Sequence, residues 1–364
     1  MSSFQPNWVS KPGNTILDIL KERNITTESF VEQMRQPADC IHRLIYGEAA
    51  ITSTTASQLT KVLGASEQFW LNRQLQYQES LVAVNKLDEE KWLKAIPFKE
   101  MVNLGWIKDT SNKLEACLKF FGIQTIDDWI REYKLGIAGS VSFRTSPTFK
   151  SQLGPLTCWL RQGEIIGNAI DCKLWDSSSF RASLSQIRQL TKEKNPRRFI
   201  PKLISLCADS GVAVAIVRAP QGCKASGATK FLSNGRALLM LSFRYLSDDQ
   251  FWFTFFHEAG HLLLHEGKGI FVEGLESEAG VSEINVQERE SEANDFAVET
   301  LIPPHLRGRL SKLKGNKRDI ISFAIEAGIS SGIVVGQMQH YGYISRSYLN
   351  VFKRRYNWED ILSV

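Results

Sequence analysis

A chain of 364 residues with 43% hydrophobic and 23% charged residues has a globular balance and room for two or three domains, which excludes a disordered or fibrous chain. The formal net charge of +5 is too small to demand nucleic acid, and residues 1–86 hold eight Lys/Arg against eight Asp/Glu, so the surplus lies further on. The six cysteines form no Cys-x-x-Cys pair, no signal peptide begins the chain, and no apolar stretch is long enough to span a bilayer. A soluble cytoplasmic protein with reduced thiols and no membrane partner is expected.

Five short helices are expected in residues 1–86. TILDILKER has helical spacing at Ile16, Leu17 and Leu20, and Thr26 is the expected N-cap of the next helix. Pro37 stands where PADCIHRLIYG begins a third, which ends at Gly47. ITSTTASQLTKVLG and SEQFWLNRQLQYQ supply the last two, with Ser66 as a cap and Phe69, Trp70 and Leu75 among the apolar positions. Two of these helices could form a helix-turn-helix. Ile16, Leu20, Phe30, Leu44, Ile51, Leu59 and Leu63 are the expected core.

Residues 87–190 read as a mostly helical connector: DEEKWLKAI, KLEACLKFFG, IDDWIREYKLG, a segment from Trp159, and SSSFRASLSQIRQL with a serine cap. Residues 191–364 form a third region. LISLCADSG reads as a helix ending at Gly211, and VAVAIVRA, ATKFL and RALLMLSF as strands, the last two separated by the turn signal SNG. Ser247, Asp248 and Asp249 then offer a cap and an acidic first turn to a helix containing WFTFFHEAGHLLLH.

In that helix His257 and His261 are four apart, so their rings leave one face and can share an ion. Glu258 is placed to move a proton as a general base. A third ligand is needed. Glu290, 29 residues beyond His261, is the expected one, with Asn294 four further on to support a ligand imidazole. Glu288 and Glu292 face differently and are the rivals. His265 continues the spacing and is a candidate hydrogen-bonding or substrate-side group, and His340 a candidate substrate-side group. Arg307, Arg309, Lys312, Lys314, Lys317 and Arg318 form a basic cluster, read first as a solvated face.

FWFTFFHEAGHLLLH followed by ERESEANDFAVETLIP resembles the ImmA/IrrE family of zinc metallopeptidases, with the likeness extending upstream through GVAVAIVRAP and SGATKFLSNGRALLMLSFRYLSDDQFW. KPGNTILDILKERNITTESFVEQM, with GEAAITSTTASQLTKVLGASEQFWLNRQ, resembles the helix-turn-helix domain of HigA-type antitoxins in the XRE class. The peptidase resemblance implies Zn2+ held by His257, His261 and Glu290, with Glu258 as the base. It also implies a repressor or other regulatory protein as substrate. The antitoxin resemblance implies that the second and third helices form the motif, which puts QPADCIHRLIY at the recognition position. Gln36, His42 and Arg43 are the candidate DNA contacts there, with Asp39 opposing phosphate. Operator DNA and a homodimer are the further partners considered.

The expected architecture is therefore α+β. A five-helix helix-turn-helix domain (1–86) and an α-helical connector (87–190) precede a gluzincin-like metallopeptidase domain with a small β-sheet (191–364). The expected function is an intracellular zinc endopeptidase linked to transcriptional regulation. The alternative is an antitoxin-like DNA-binding regulator whose metal domain has little or no proteolytic activity.

Overall fold

The computed structural model describes residues 10–135, 147–265, 271–272, 283–313 and 315–362. It divides into two compact units, Met1–Lys94 and Ala95–Val364. The first is helical: α1 (Pro12–Glu22), α2 (Thr27–Met34), α3 (Ala38–Ile45), α4 (Ser53–Leu63) and α5 (Glu67–Ala95). Thr26 caps α2 by accepting from the Ser29 amide at 3.2 Å, and Ser66 Oγ accepts from Phe69 N at 3.1 Å at the start of α5. The seven expected core residues are all buried, joined by Met34, Ile41 and Trp70. Two expectations need correction. Phe69 and Leu75 are exposed, leaving Trp70 to anchor α5. DEEKWLKAI is not a separate helix either, because no Gly or Pro interrupts the chain between Ser66 and Pro97 and α5 continues to Ala95.

The second unit begins with short helices α6 (Phe98–Asn103), α7 (Lys113–Phe121) and α8 (Ile126–Trp129), the last continuing as a π-helix over Ile130–Leu135. Then come α9 (Pro147–Ala169), α10 (Ser177–Gln189) and α11 (Pro196–Ala208). The cap of α10 is Asp176, which accepts from Ser178 N and Ser179 N, and not a serine. A carboxylate holds two amides at once there. Residues 136–146 and Lys314 lie outside the described residues.

Strands β1 (Val212–Ile216), β2 (Gly227–Phe231), β3 (Ala237–Leu241) and β4 (Phe271–Val272) form one mixed sheet in the order β1-β3-β2-β4. β1 and β3 are parallel, and β2 is antiparallel to both β3 and β4. The expected turn between β2 and β3 closes through Leu232 N donating to Arg236 O at 2.8 Å, and Gly235 supplies its positive φ of 77°.

Helices cover both sheet faces, so β1 and β3 are apolar throughout. On one face α9 is so close that a Cβ on Gly163 would stand 2.1 Å from Met240 Cε, and one on Gly167 2.5 Å from Leu238 Cδ1. On the other, Val214, Leu239 and Leu241 join the main core with Phe199, Trp252 and Phe255. Each such large side chain contributes about 1.5–3 kcal/mol by leaving water.

The remaining helices are α12 (Asp248–Leu264), α13 (Glu283–Leu301), α14 (Pro304–Leu310), α15 (Lys317–Ala327), α16 (Ser331–His340) and α17 (Trp358–Leu362). The unit is thus a small mixed sheet flanked by helices, an α+β arrangement. No single helix among the described residues is long and apolar enough to cross a membrane.

Candidate metal centre

α12 is apolar nearly all round, with Trp252, Phe255, Phe256 and Ala259 fully buried, so its polar residues are buried with it. Its first turn is held by long-range partners. Ser247 occupies the cap position, but its side chain makes no cap hydrogen bond, contrary to expectation. Asp248 does the work instead. Its Oδ1 accepts from Arg354 N at 2.9 Å and Asp249 N at 3.0 Å, and its Oδ2 from Ser330 Oγ at 2.8 Å. Lys353 Nζ lies 2.6 Å from Oδ2 of the buried Asp249. Burial pushes the Asp248 carboxyl above the ordinary carboxylate value, against the pull of its hydrogen bonds. These partners lie far along the chain, and no local pattern signals them.

About two turns later the helix presents its histidines. His257 and His261 are each 1% exposed, and their Nε2 atoms are 3.0 Å apart. Glu290, from α13, faces both: Oε2 is 3.3 Å from His257 Nε2 and Oε1 is 3.3 Å from His261 Nε2. Gly260 makes this approach possible, since a Cβ there would lie 3.2 Å from Ala293 Cα and from Phe296 Cδ1. Three ligands around a tetrahedral zinc, at about 2.0–2.2 Å from the ion, stand about 3.3 Å from one another. The donor set therefore fits such an ion.

Electrostatics point the same way. His257 Nδ1 is 3.0 Å from the acceptor Asn294 Oδ1, so its proton is on Nδ1 and its Nε2 lone pair faces the centre. Acceptors that converge on one point require a positive charge between them. When no ion lies between them, burial pushes the Glu290 carboxyl up, but hydrogen bonding and charge attraction from His257 and His261 more than reverse this and bring it from 4.5 to about 2. Burial holds His261 below the ordinary imidazole value of 6.5. Glu290 is the most open of the three, its side chain 36% exposed, which leaves one side of the centre accessible.

The remaining candidates fall into place around this centre. Glu258 is fully buried against β2, where a Cβ on Gly227 would meet its Oε1 at 2.5 Å. His265 is buried, with Nδ1 3.0 Å from His261 Nδ1 and Nε2 2.7 Å from Glu292 Oε2. Glu288 is exposed, and neither it nor Glu292 is in the converging group. His340 is exposed, its ring centroid 6.3 Å from that of Phe253, which lies 6.3 Å from the His257 ring. In the amino-terminal unit His42 and Arg43 are exposed on α3. Gln36 lies in the turn before that helix, half-buried, and donates to Gln58. Within the basic cluster Arg307 pairs with Glu299 at 3.3 Å, and Arg309 pairs with Glu326.

The pairing of His265 with Glu292 is the feature that sequence reasoning missed. Its trace was present in the third histidine at four-residue spacing and in the acid two positions beyond Glu290.

Residues 211–320 match the sequence model of the IrrE N-terminal-like domain of the M78 peptidases. The chain is also 38% identical over 64 residues to the uncharacterized HTH-type transcriptional regulator YddM of Escherichia coli (strain K12). That match covers 18% of this chain and 68% of the regulator.

Proposed function

The chain belongs with that HTH-type regulator through the shared segment and carries an IrrE N-terminal-like domain, and from these two premises we propose a zinc-dependent endopeptidase that acts on a repressor-like protein inside the cell. The observation that carries this reading is the convergence of His257, His261 and Glu290 on one point, with Glu258 on the same helix. In this reading the carboxyl-terminal region is a gluzincin-like catalytic domain.

A zinc ion at that point supplies Lewis acidity that polarises a scissile carbonyl and makes water nucleophilic at neutral pH. The protein's own part is positional. His257 and Glu290 come from separate helices, so the donors are fixed by the packing of α12 on α13 at Gly260. Asn294 keeps His257 in the tautomer that binds. Glu258 takes the proton of the attacking water and returns it to the leaving amine. Residues 1–86 act as the helix-turn-helix region, with His42 and Arg43 the side chains available to operator DNA. Gln36, engaged with Gln58, is less free to reach a base. His340, at the rim, is proposed to meet the substrate.

A second reading, favoured by the complete enclosure of Glu258, is a DNA-binding regulator whose metal centre scaffolds without rapid turnover. Metal analysis of the purified chain beside Glu290→Ala and Glu258→Gln separates the two, together with incubation against candidate helix-turn-helix repressors. The peptidase reading expects zinc in wild type and in Glu258→Gln, cleavage in wild type only, and loss of zinc in Glu290→Ala. A full complement of zinc in Glu290→Ala removes the third ligand. Operator binding without cleavage of any partner supports the scaffold.

A further inference from the structure

α12 and α13 are joined at a second place beyond the three converging side chains. His265 Nε2 lies 2.7 Å from Glu292 Oε2, and His265 Nδ1 lies 3.0 Å from His261 Nδ1. A carboxylate only accepts, so His265 carries its hydrogen on Nε2. When the ring carries only that hydrogen, its other nitrogen is a lone pair, which the Nδ1–H of His261 fills. With its proton on Nδ1, His261 turns an unprotonated Nε2 toward His257 and Glu290. The opposite order, with His265 protonated on Nδ1, would aim an N–H of His261 into the centre and remove a donor.

We propose that Glu292, acting through His265, is a positioning pair that selects the Nδ1–H form of His261 and so readies its Nε2 for a cation. The proposal rests on the metal-site reading given above. The arrangement suits the task. His265 is 2% exposed and held firmly, whereas the Glu292 side chain is 61% exposed, so the charge stays in water at little desolvation cost. Its influence crosses to the buried ligand through the ring between them. The two ligand histidines are therefore set by different devices: His257 by the neutral carbonyl of Asn294, His261 by a chain ending in a carboxylate. An outer partner of this kind orients the ligand ring and raises its basicity.

Selective 15N-histidine labelling of the full-length chain, read by long-range 1H–15N correlation, reports which nitrogen of each ring is protonated. Wild type should show His261 protonated on Nδ1. Glu292→Leu should shift His261 toward the other tautomer and weaken zinc binding, measured by chelator competition, by about 10–100-fold. Glu292→Gln, which keeps an acceptor oxygen, should restore most of both. Because Glu292 is exposed, these variants leave the core intact. An unchanged His261 tautomer together with undiminished zinc affinity in Glu292→Leu overturns the proposal. If wild type binds no zinc yet Glu292→Leu still switches His261, the positioning role stands and the metal-site reading falls.

Discussion

Gly260→Ala tests whether the spacing of two helices sets metal affinity. The added carbon would sit 3.2 Å from Ala293 Cα, 3.2 Å from Phe296 Cδ1 and 3.3 Å from Phe296 Cβ. Carbon atoms prefer about 3.5–4.0 Å, so α12 and α13 must part locally by about 0.3 Å. The histidine nitrogens ride on one helix and the Glu290 oxygens on the other, so both 3.3 Å separations open by a similar amount. Metal sites tolerate deviations of about 0.2 Å, and a misplaced ligand costs about 10–100-fold in affinity. Meanwhile alanine is favoured over glycine in a helix by about 0.8–1 kcal/mol, which offsets the strain in the metal-free protein. The expected signature is a divided one: zinc affinity falls in chelator competition while the thermal midpoint of the metal-free protein hardly moves. Gly260→Val should enlarge the loss. Undiminished zinc affinity in Gly260→Ala would refute the claim that this helix contact sets the site.

Gly227→Ala places a methyl 2.5 Å from Glu258 Oε1 and should leave zinc content intact. Displacing the carboxylate by about 1 Å should lower peptide cleavage by about 100-fold, and normal turnover would separate Glu258 from the chemistry. Because burial holds His261 below its ordinary value of 6.5, the unfolded chain takes up a proton that the fold resists. His261 therefore contributes fully above 6.5 and progressively less as the pH falls below it, a slope that urea titrations should find flattened in His261→Gln. Asp248→Ala strands the Ser330 hydroxyl and the Arg354 amide and should cost about 2–4 kcal/mol in denaturant unfolding; a loss near zero would mean that neither bond matters. Burial raises the thiols of Cys117 to about 11 and Cys223 to about 12, and those of Cys158 and Cys207 well above the ordinary range. Thiol reagents should therefore modify exposed Cys40 first and half-buried Cys172 slowly, with the other four released only on unfolding.

What the sequence made legible follows the range of the forces involved. The four-residue spacings His257–His261 and Glu290–Asn294 state two helical faces, and a helix has few ways to present them. The β-branched run at Val212 and the glycine turn at Gly235 announce strands for similarly local reasons. β4 escaped because Phe271 and Val272 are two residues whose strand character comes from pairing with β2. α5 escaped because its length depends on the absence of a stop signal. Asp248 was legible as a first-turn acid, but not its bonds to Ser330 and Arg354, which tertiary folding alone creates. The same holds for Glu292, which reads as one acid among several until His265 is placed beside it.

The anchoring of α12 from the far end of the chain also sets when the site can exist. Arg354, whose amide holds Asp248, is 106 residues further along, and Tyr356 N donates to Leu246 O at 2.9 Å. At a synthesis rate of about 5–20 residues per second, the histidine helix emerges from the ribosome roughly 5–20 s before the residues that fasten its first turn. The centre is thus completed only after Arg354 and Tyr356 are made, and a chain interrupted before them would carry the motif without these anchors.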